Sequence, residues 1–121
     1  MAREDEMETL IPSDMWLHVV FYCEDNDWYG HCLEFDLVES GSTLPEAKAN
    51  IIDVIRAHIE WALQNDNMEH LFRSAPIEYW HRCWSGKPLG TEKIQISIPN
   101  ADDITPPAWM LEEVRAQHAS A

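Results

Sequence analysis

Two stretches rich in aromatic and β-branched residues begin the patterned part of the chain. Residues 16–24 and 28–35 both have this composition, which favours β-strands. Between them, residues 25–27 are Asp-Asn-Asp, a sequence that favours a turn because short Asx side chains hydrogen-bond to their own backbone. The pattern therefore predicts a β-hairpin with a three-residue loop, in which Glu24 pairs with Trp28.

This register divides the side chains of the hairpin between two faces, because successive residues of a strand point to opposite sides. The first face is nearly all apolar and is predicted to face the core; its pairs are Leu17/Phe35, Val19/Leu33, Phe21/His31 and Cys23/Tyr29. The second face is mixed, and we expect it to be solvated or covered by a partner; its pairs are Trp16/Asp36, His18/Glu34, Val20/Cys32 and Tyr22/Gly30. Of these, His18 and Glu34 are predicted to form a surface ion pair that contributes less than about 1 kcal/mol.

A bend marked by glycine leads from the hairpin into one long predicted helix. Residues 36–42 favour a short third strand or bend, in which Gly41 is free to adopt a positive φ. Thr43 and Glu46 have the spacing of a capping box, with a proline between them in the first helical turn. The helix is predicted over residues 44–63, because apolar residues recur there every three or four positions. Its apolar stripe is Leu44, Ala47, Ile51, Val54, Ile55, Ile59 and Ala62.

Shorter elements are predicted for the rest of the chain. Asn and Asp residues end the long helix, a helical turn follows over residues 68–73, and a second helix begins at residues 75–76 and ends near Gly86. Residues 93–98 alternate cleanly and are predicted to form the last strand. Residues 108–117 follow two prolines and are predicted to form a final short helix.

The predicted fold class is α+β. We expect a small antiparallel sheet with the order β-β-β-α-β, one long helix packed on one face, and extra short helices. The predicted organisation is an acidic, flexible N-terminus (residues 1–15), one domain (residues 16–99) and a C-terminal extension with a short helix (residues 100–121). In this fold the apolar face of the hairpin packs against the isoleucine stripe of the long helix.

The formal charge of −14, from 22 acidic and 8 basic residues, narrows the classes of partner. Nucleic-acid binding draws its affinity from clustered lysine and arginine, and the few basic residues here are scattered. A basic protein partner is favoured instead. No apolar run approaches the length of a membrane-spanning helix, and the acidic N-terminus does not resemble a secretory signal. The three cysteines fit no disulfide framework, so we expect a cytoplasmic protein with reduced thiols.

Three kinds of ligand chemistry are relevant to the histidines, cysteines, carboxylates and tryptophans of the chain. No spacing of His and Cys matches a zinc site, so neither a metal nor another cofactor is predicted. Glu34 and Asp36 lie two apart on one predicted strand face, which leaves open a divergent metal-dependent hydrolase or nuclease that uses this pair. Small-molecule binding among tryptophans is a weaker alternative; the residues are Trp80, Trp84 and Trp109.

The hairpin, bend and long helix resemble the HicB-like antitoxin family over residues 16–63. The motifs that carry the resemblance are Glu24-Asp25 with Trp28-Tyr29, Phe35-Asp36-Leu37, Gly41-Ser42-Thr43-Leu44-Pro45-Glu46-Ala47 and Asn50-Ile51. The resemblance implies a partial RNase H-like domain that lacks the nuclease acids. It also implies self-association as a dimer or higher oligomer, and binding to a small basic toxin that cleaves mRNA.

The chain departs from the family pattern at several points. Phe35 stands where a proline is usual before the Asp-Leu pair, and Val38-Glu39 stands where Pro-Gly is frequent. Only residues 100–121 follow Pro99, too few for a ribbon-helix-helix or helix-turn-helix motif. We therefore expect an antitoxin-like module without the C-terminal DNA-binding domain.

The mixed face of the hairpin is the predicted partner or oligomer surface, and no enzymatic activity is expected. The residues assigned to this surface are Trp16, His18, Val20, Tyr22, Trp28 and Glu34. On this hypothesis, Val20→Glu weakens assembly and leaves the core that faces the long helix intact.

Overall fold

The computed structural model describes residues 14–96 and 108–116, which form a five-stranded sheet with a helix on each face. The strands are β1 (Asp14–Glu24), β2 (Asp27–Cys32), β3 (Leu37–Gly41), β4 (Lys87–Ile94) and β5 (Ala108–Arg115). The helices are α1 (Leu44–Gln64) and α2 (Ile77–Trp84), with a 3₁₀ turn at Met68–His70 between them. The predicted α+β class is confirmed.

The sheet is mixed, so the prediction of an antiparallel sheet is wrong. The strand order is β3-β2-β1-β5-β4, and β5 runs parallel to β1 while the other neighbours are antiparallel. The parallel pair is possible because the whole helical part of the chain lies between β1 and β5 and supplies the crossover. Both edges of β1 are paired, which makes it the central strand.

The predicted C-terminal helix is also wrong, because that segment is β5. Its side chains alternate between the two cores: Trp109 and Leu111 lie in the core on the α1 side, and Val114 lies in the core on the α2 side. The sequence misled for two reasons. A strand covered on both faces shows no simple amphipathic pattern, and the two prolines before it are typical of the start of a helix. The predicted boundary at residues 99–100 therefore does not separate an extension from the sheet. The predicted last strand, residues 93–98, shares only residues 93–94 with β4. Residues 97–98 of the predicted strand lie outside the described residues.

The hairpin turn has two residues, not the predicted three, and the register of β2 changes with it. Asp25 and Asn26 both have positive φ, 53° and 71°, as a type I′ turn requires, and Glu24 pairs with Asp27. A slip of one residue moves every side chain of a strand to the other face. Cys32 therefore lies on the α1 side, while His31, expected beside Phe21, lies on the α2 side against Tyr79.

The packing of α1 on the sheet follows the prediction. The rows Leu17–Val19–Phe21 and Ile51–Ile55–Ile59 are buried in one cluster. The cap forms as expected: the backbone N–H of Glu46 donates to Thr43 Oγ1 at 3.2 Å, and the Glu46 carboxylate accepts from the backbone of Ser42 at 2.8 Å. Gly41 does not adopt positive φ; its role is close approach, since a Cβ there would lie 2.4 Å from Ala47 N.

Helix α2 covers the opposite face of the sheet and makes a second core. Val20, Leu33 and Val114 are buried there beneath Cys83 and its neighbours on α2. The sequence predicted this short helix but not its position, because its packing depends on β5 being a strand. Both faces of β1 are therefore buried in its central part, from Val19 to Tyr22.

Candidate functional site

The residues of the predicted partner surface are divided by the structure between the core and two different faces. Val20 and Tyr22 are buried beneath α2 and are not part of the molecular surface. Trp28 lies on the α1 side, where the Arg115 guanidinium stacks 5.0 Å from its ring. Trp16 is 48% exposed. Val20 is not part of the core that faces the long helix, but Val20→Glu would place its carboxylate in the second core, which the sequence did not predict.

His18 and Glu34, the other two predicted surface residues, do come together, and they form a cluster with a residue that the sequence did not indicate. His18 Nδ1 lies 2.6 Å from Glu34 Oε2, and His18 Nε2 lies 3.2 Å from Glu112 Oε1. The ring of Trp80 on α2 lies 5.6 Å from the His18 ring. Glu112 was missed because residues 108–117 were assigned to a helix; the signal that would have found it is the alternation of β5.

Glu34 and Asp36, the carboxylates of the alternative hydrolase hypothesis, bind two different histidines. Glu34 binds His18, whereas Asp36 Oδ1 lies 2.7 Å from Nε2 of the buried His31. Both acids belong to the turn between β2 and β3, where Asp36 has a φ of 54°. No group of three His, Cys, Asp or Glu side chains that could hold a metal ion occurs in residues 14–96 and 108–116.

The cysteines do not form disulfides, and two of them have protonated thiols. Burial raises the pKa of Cys32 to about 12. Burial also raises the pKa of Cys83 to about 11, and the nearby carboxylates of Glu112 and Glu34 act in the same direction. Since the thiolate is the nucleophile, these two residues are held in the unreactive form at neutral pH.

The outer side of α2 exposes large apolar side chains. Ile77 is 60% exposed and Trp84 is 65% exposed, and together with Trp80 they line a shallow groove with Ser74. The indole N–H of Trp80 donates to Ser74 Oγ at 3.0 Å, which fixes the ring at the edge of the groove. We call Ile77, Trp80 and Trp84 the α2 ridge.

Comparisons with protein-family models, curated proteins and solved structures found no match. Among the helices that the structure describes, none is long and apolar enough to cross a membrane.

The three residues of the α2 ridge are spaced at i, i+3 and i+7, a spacing that puts them on one face of a helix. It did not predict their exposure, which follows from how α2 lies on the sheet. The third tryptophan of the small-molecule alternative is not part of this surface. Trp109 is buried on the other side of the sheet, 6.2 Å from Phe35.

Proposed function

We propose that this protein is a non-enzymatic interaction module that binds a small basic protein through the α2 ridge, in the manner of a HicB-type antitoxin. The observation that carries the proposal is the exposure of Trp84 and Ile77, at 65% and 60%, on a helix whose other side is packed into the core. Contiguous apolar side chains exposed on a small acidic domain mark an interaction surface. Tryptophan is also the residue type most enriched among binding hot spots.

The charge around the ridge specifies the sign of the partner. Glu78 is exposed on α2 itself, and Glu34 and Glu112 lie below Trp80 around His18. Arg82, the arginine of α2, is directed away from the ridge, over the Tyr22 and Tyr79 rings. With a formal charge of −14 on the whole chain, a partner with lysine or arginine around an apolar centre is complementary.

The test uses the small basic protein encoded beside the gene for this chain, as the antitoxin hypothesis requires. The two proteins are expressed together, and complex formation is measured by size-exclusion chromatography and calorimetry. We expect a complex in which Trp84→Ser weakens binding by about thirtyfold, because truncating a hot-spot residue costs about 2 kcal/mol or more. Raising the salt concentration should also weaken binding, since exposed charges are screened.

A matched control is available on α1. Trp61 is also a tryptophan on a helix surface, 55% exposed, but it lies away from the α2 ridge. Trp61→Ser should leave binding unchanged. The absence of a basic neighbouring protein, or equal loss of binding in the two variants, would contradict the proposal.

The proposal includes self-association through the edge of β3. The two edge strands of the sheet are β3 and β4. β4 is protected against edge pairing by Lys87, Pro88 and Lys93, whereas β3 has no proline or lysine and exposes Val38 to 43%. Antiparallel pairing of two β3 strands would extend the sheet across a dimer.

A further inference from the structure

A second concave site lies on the α1 side of the molecule, away from the α2 ridge. It has a volume of about 220 Å³ and is formed by the C-terminal half of α1, the 3₁₀ turn and the turn between β2 and β3. Its apolar walls include Phe35, Trp61 and Leu71. A pocket with mainly apolar walls and a few polar groups is the usual form of a small-molecule site, and this volume suits a ligand smaller than a typical drug.

The pocket contains one carboxylate and one guanidinium that do not pair with each other. Asp36 accepts from His31 through Oδ1, and its side chain remains 32% exposed. The Arg73 guanidinium forms no ion pair or hydrogen bond within the part of the chain that the structure describes. Its backbone N–H donates to Glu34 O at 2.9 Å, which anchors Arg73 beside the turn that carries Asp36. One acidic and one basic residue therefore line the same cavity without pairing to each other.

Two histidines at the pocket have one ring nitrogen fixed by the protein. His58 Nδ1 lies 2.9 Å from the carbonyl oxygen of Val54, and His70 Nδ1 bonds to Asn67 Oδ1. Both partners are acceptors, so Nδ1 carries the hydrogen in each ring. In the neutral ring, Nε2 is then an acceptor with no partner among the described residues. Both histidines line the pocket together with Asp36.

We propose that this pocket binds a small zwitterion with an apolar side chain, of the class of the leucine, phenylalanine and tryptophan α-amino acids. The Arg73 guanidinium would hold the carboxylate in a bidentate pair. Asp36 would accept from the ammonium group, and the apolar side chain would lie between Phe35 and Trp61. A simple anion would meet the Asp36 charge without compensation, and a simple amine would meet Arg73 in the same way. A ligand with both charges satisfies both groups.

The experiment measures binding of three compounds by calorimetry and by thermal shift on the full chain. L-phenylalanine carries both charges, 3-phenylpropionate lacks the ammonium group, and phenethylamine lacks the carboxylate. We expect L-phenylalanine to bind and to raise the unfolding temperature, since a ligand of the native state stabilises it by mass action. Each of the other two compounds should bind at least tenfold more weakly. No heat and no thermal shift with 10 mM L-phenylalanine would overturn the proposal.

Two variants test whether Arg73 binds the carboxylate of the ligand and Asp36 binds its ammonium group. Arg73→Gln should weaken L-phenylalanine at least tenfold and should not weaken phenethylamine, because it removes a positive charge that the amine meets without compensation. Asp36→Asn should weaken L-phenylalanine and should not weaken 3-phenylpropionate, because it removes a negative charge that this anion meets without compensation. Asparagine tolerates the positive φ of this position and still accepts from His31. Equal effects of either variant on all three compounds would also overturn the proposal. Trp84→Ser should have no effect here, which separates this site from the α2 ridge.

Discussion

The contact of Lys48 with two strands gives a stability prediction whose size follows from burial. Lys48 Nζ on α1 lies 3.2 Å from Glu92 Oε1 on β4 and 3.2 Å from Glu113 Oε1 on β5. The Glu113 side chain is only 5% exposed, and its Oε2 has no hydrogen-bond partner. Burial raises the pKa of Glu113 although Lys48 acts to lower it. Burial would lower the pKa of Lys48, but its hydrogen bonds to the two carboxylates raise it.

Lys48→Met should therefore leave a buried carboxylate without its cation. Breaking a fully buried pair costs about 3–5 kcal/mol, and an exposed pair contributes about 0–1 kcal/mol. Since the Lys48 side chain is 37% exposed and that of Glu113 is 5% exposed, we expect an intermediate loss of about 2 kcal/mol in the free energy of unfolding. The thermal midpoint should fall by about 6–10 °C. Denaturant unfolding followed by circular dichroism measures the free energy of unfolding, and a temperature scan of the same signal measures the thermal midpoint.

The pH dependence and a double mutant test the cause of this loss. The folded-state pKa of Glu113 lies above its usual value of 4.5, so protonation of this carboxyl favours folding. The stability gained from this protonation is lost as the pH rises through the folded-state pKa. The cost of Lys48→Met should therefore shrink as the pH falls from 7 towards 4.5. It should also fall below about 1 kcal/mol in a Glu113→Gln background. Lys93→Met, at an exposed position without an ion pair in the described residues, should cost less than about 0.5 kcal/mol. An equal cost at every pH and in both backgrounds would refute the reasoning.

Three further outcomes are expected. Val20→Glu places a carboxylate in the fully buried second core and should abolish the cooperative thermal transition, whereas Val38→Glu on the exposed edge of β3 should keep it. In light scattering at high micromolar concentration, the wild-type chain should be a dimer or larger and Val38→Glu a monomer; a monomeric wild type would contradict self-association. Iodoacetamide at pH 8 should label only the partly exposed Cys23 in the native protein, because Cys32 and Cys83 are buried, and all three cysteines after unfolding. Mass spectrometry counts the adducts. Fast labelling of all three cysteines in the native state would contradict the structure.

The elements with a local cause were predictable from the sequence. α1 could be predicted because its cap, its proline and its apolar stripe all lie within residues 43–63. β5 could not be predicted in this way, because its side chains pack into two separate cores. The other residues of both cores are distant in sequence, so the eight residues of β5 alone do not indicate them. A helix at residues 108–117 leaves no β5 to pair with β1. The parallel pairing of β1 and β5, the place of Glu112 beside His18 and the covering of Val20 by α2 therefore could not be derived either.

The contact between His18 and Glu34 was predicted correctly, but from a register that the structure does not have. In the true register Leu33, not Glu34, lies opposite His18, and its backbone N–H donates to the carbonyl oxygen of His18 at 2.9 Å. Glu34 reaches His18 from the turn that follows β2, and its Oε1 also accepts from the backbone N–H of His18 at 2.7 Å. The same turn carries Asp36 to the pocket on the α1 side, while Glu34 remains near the α2 ridge. This turn is therefore the element that positions one carboxylate for each of the two proposed sites, and its conformation depends on contacts with β1 that sequence spacing does not encode.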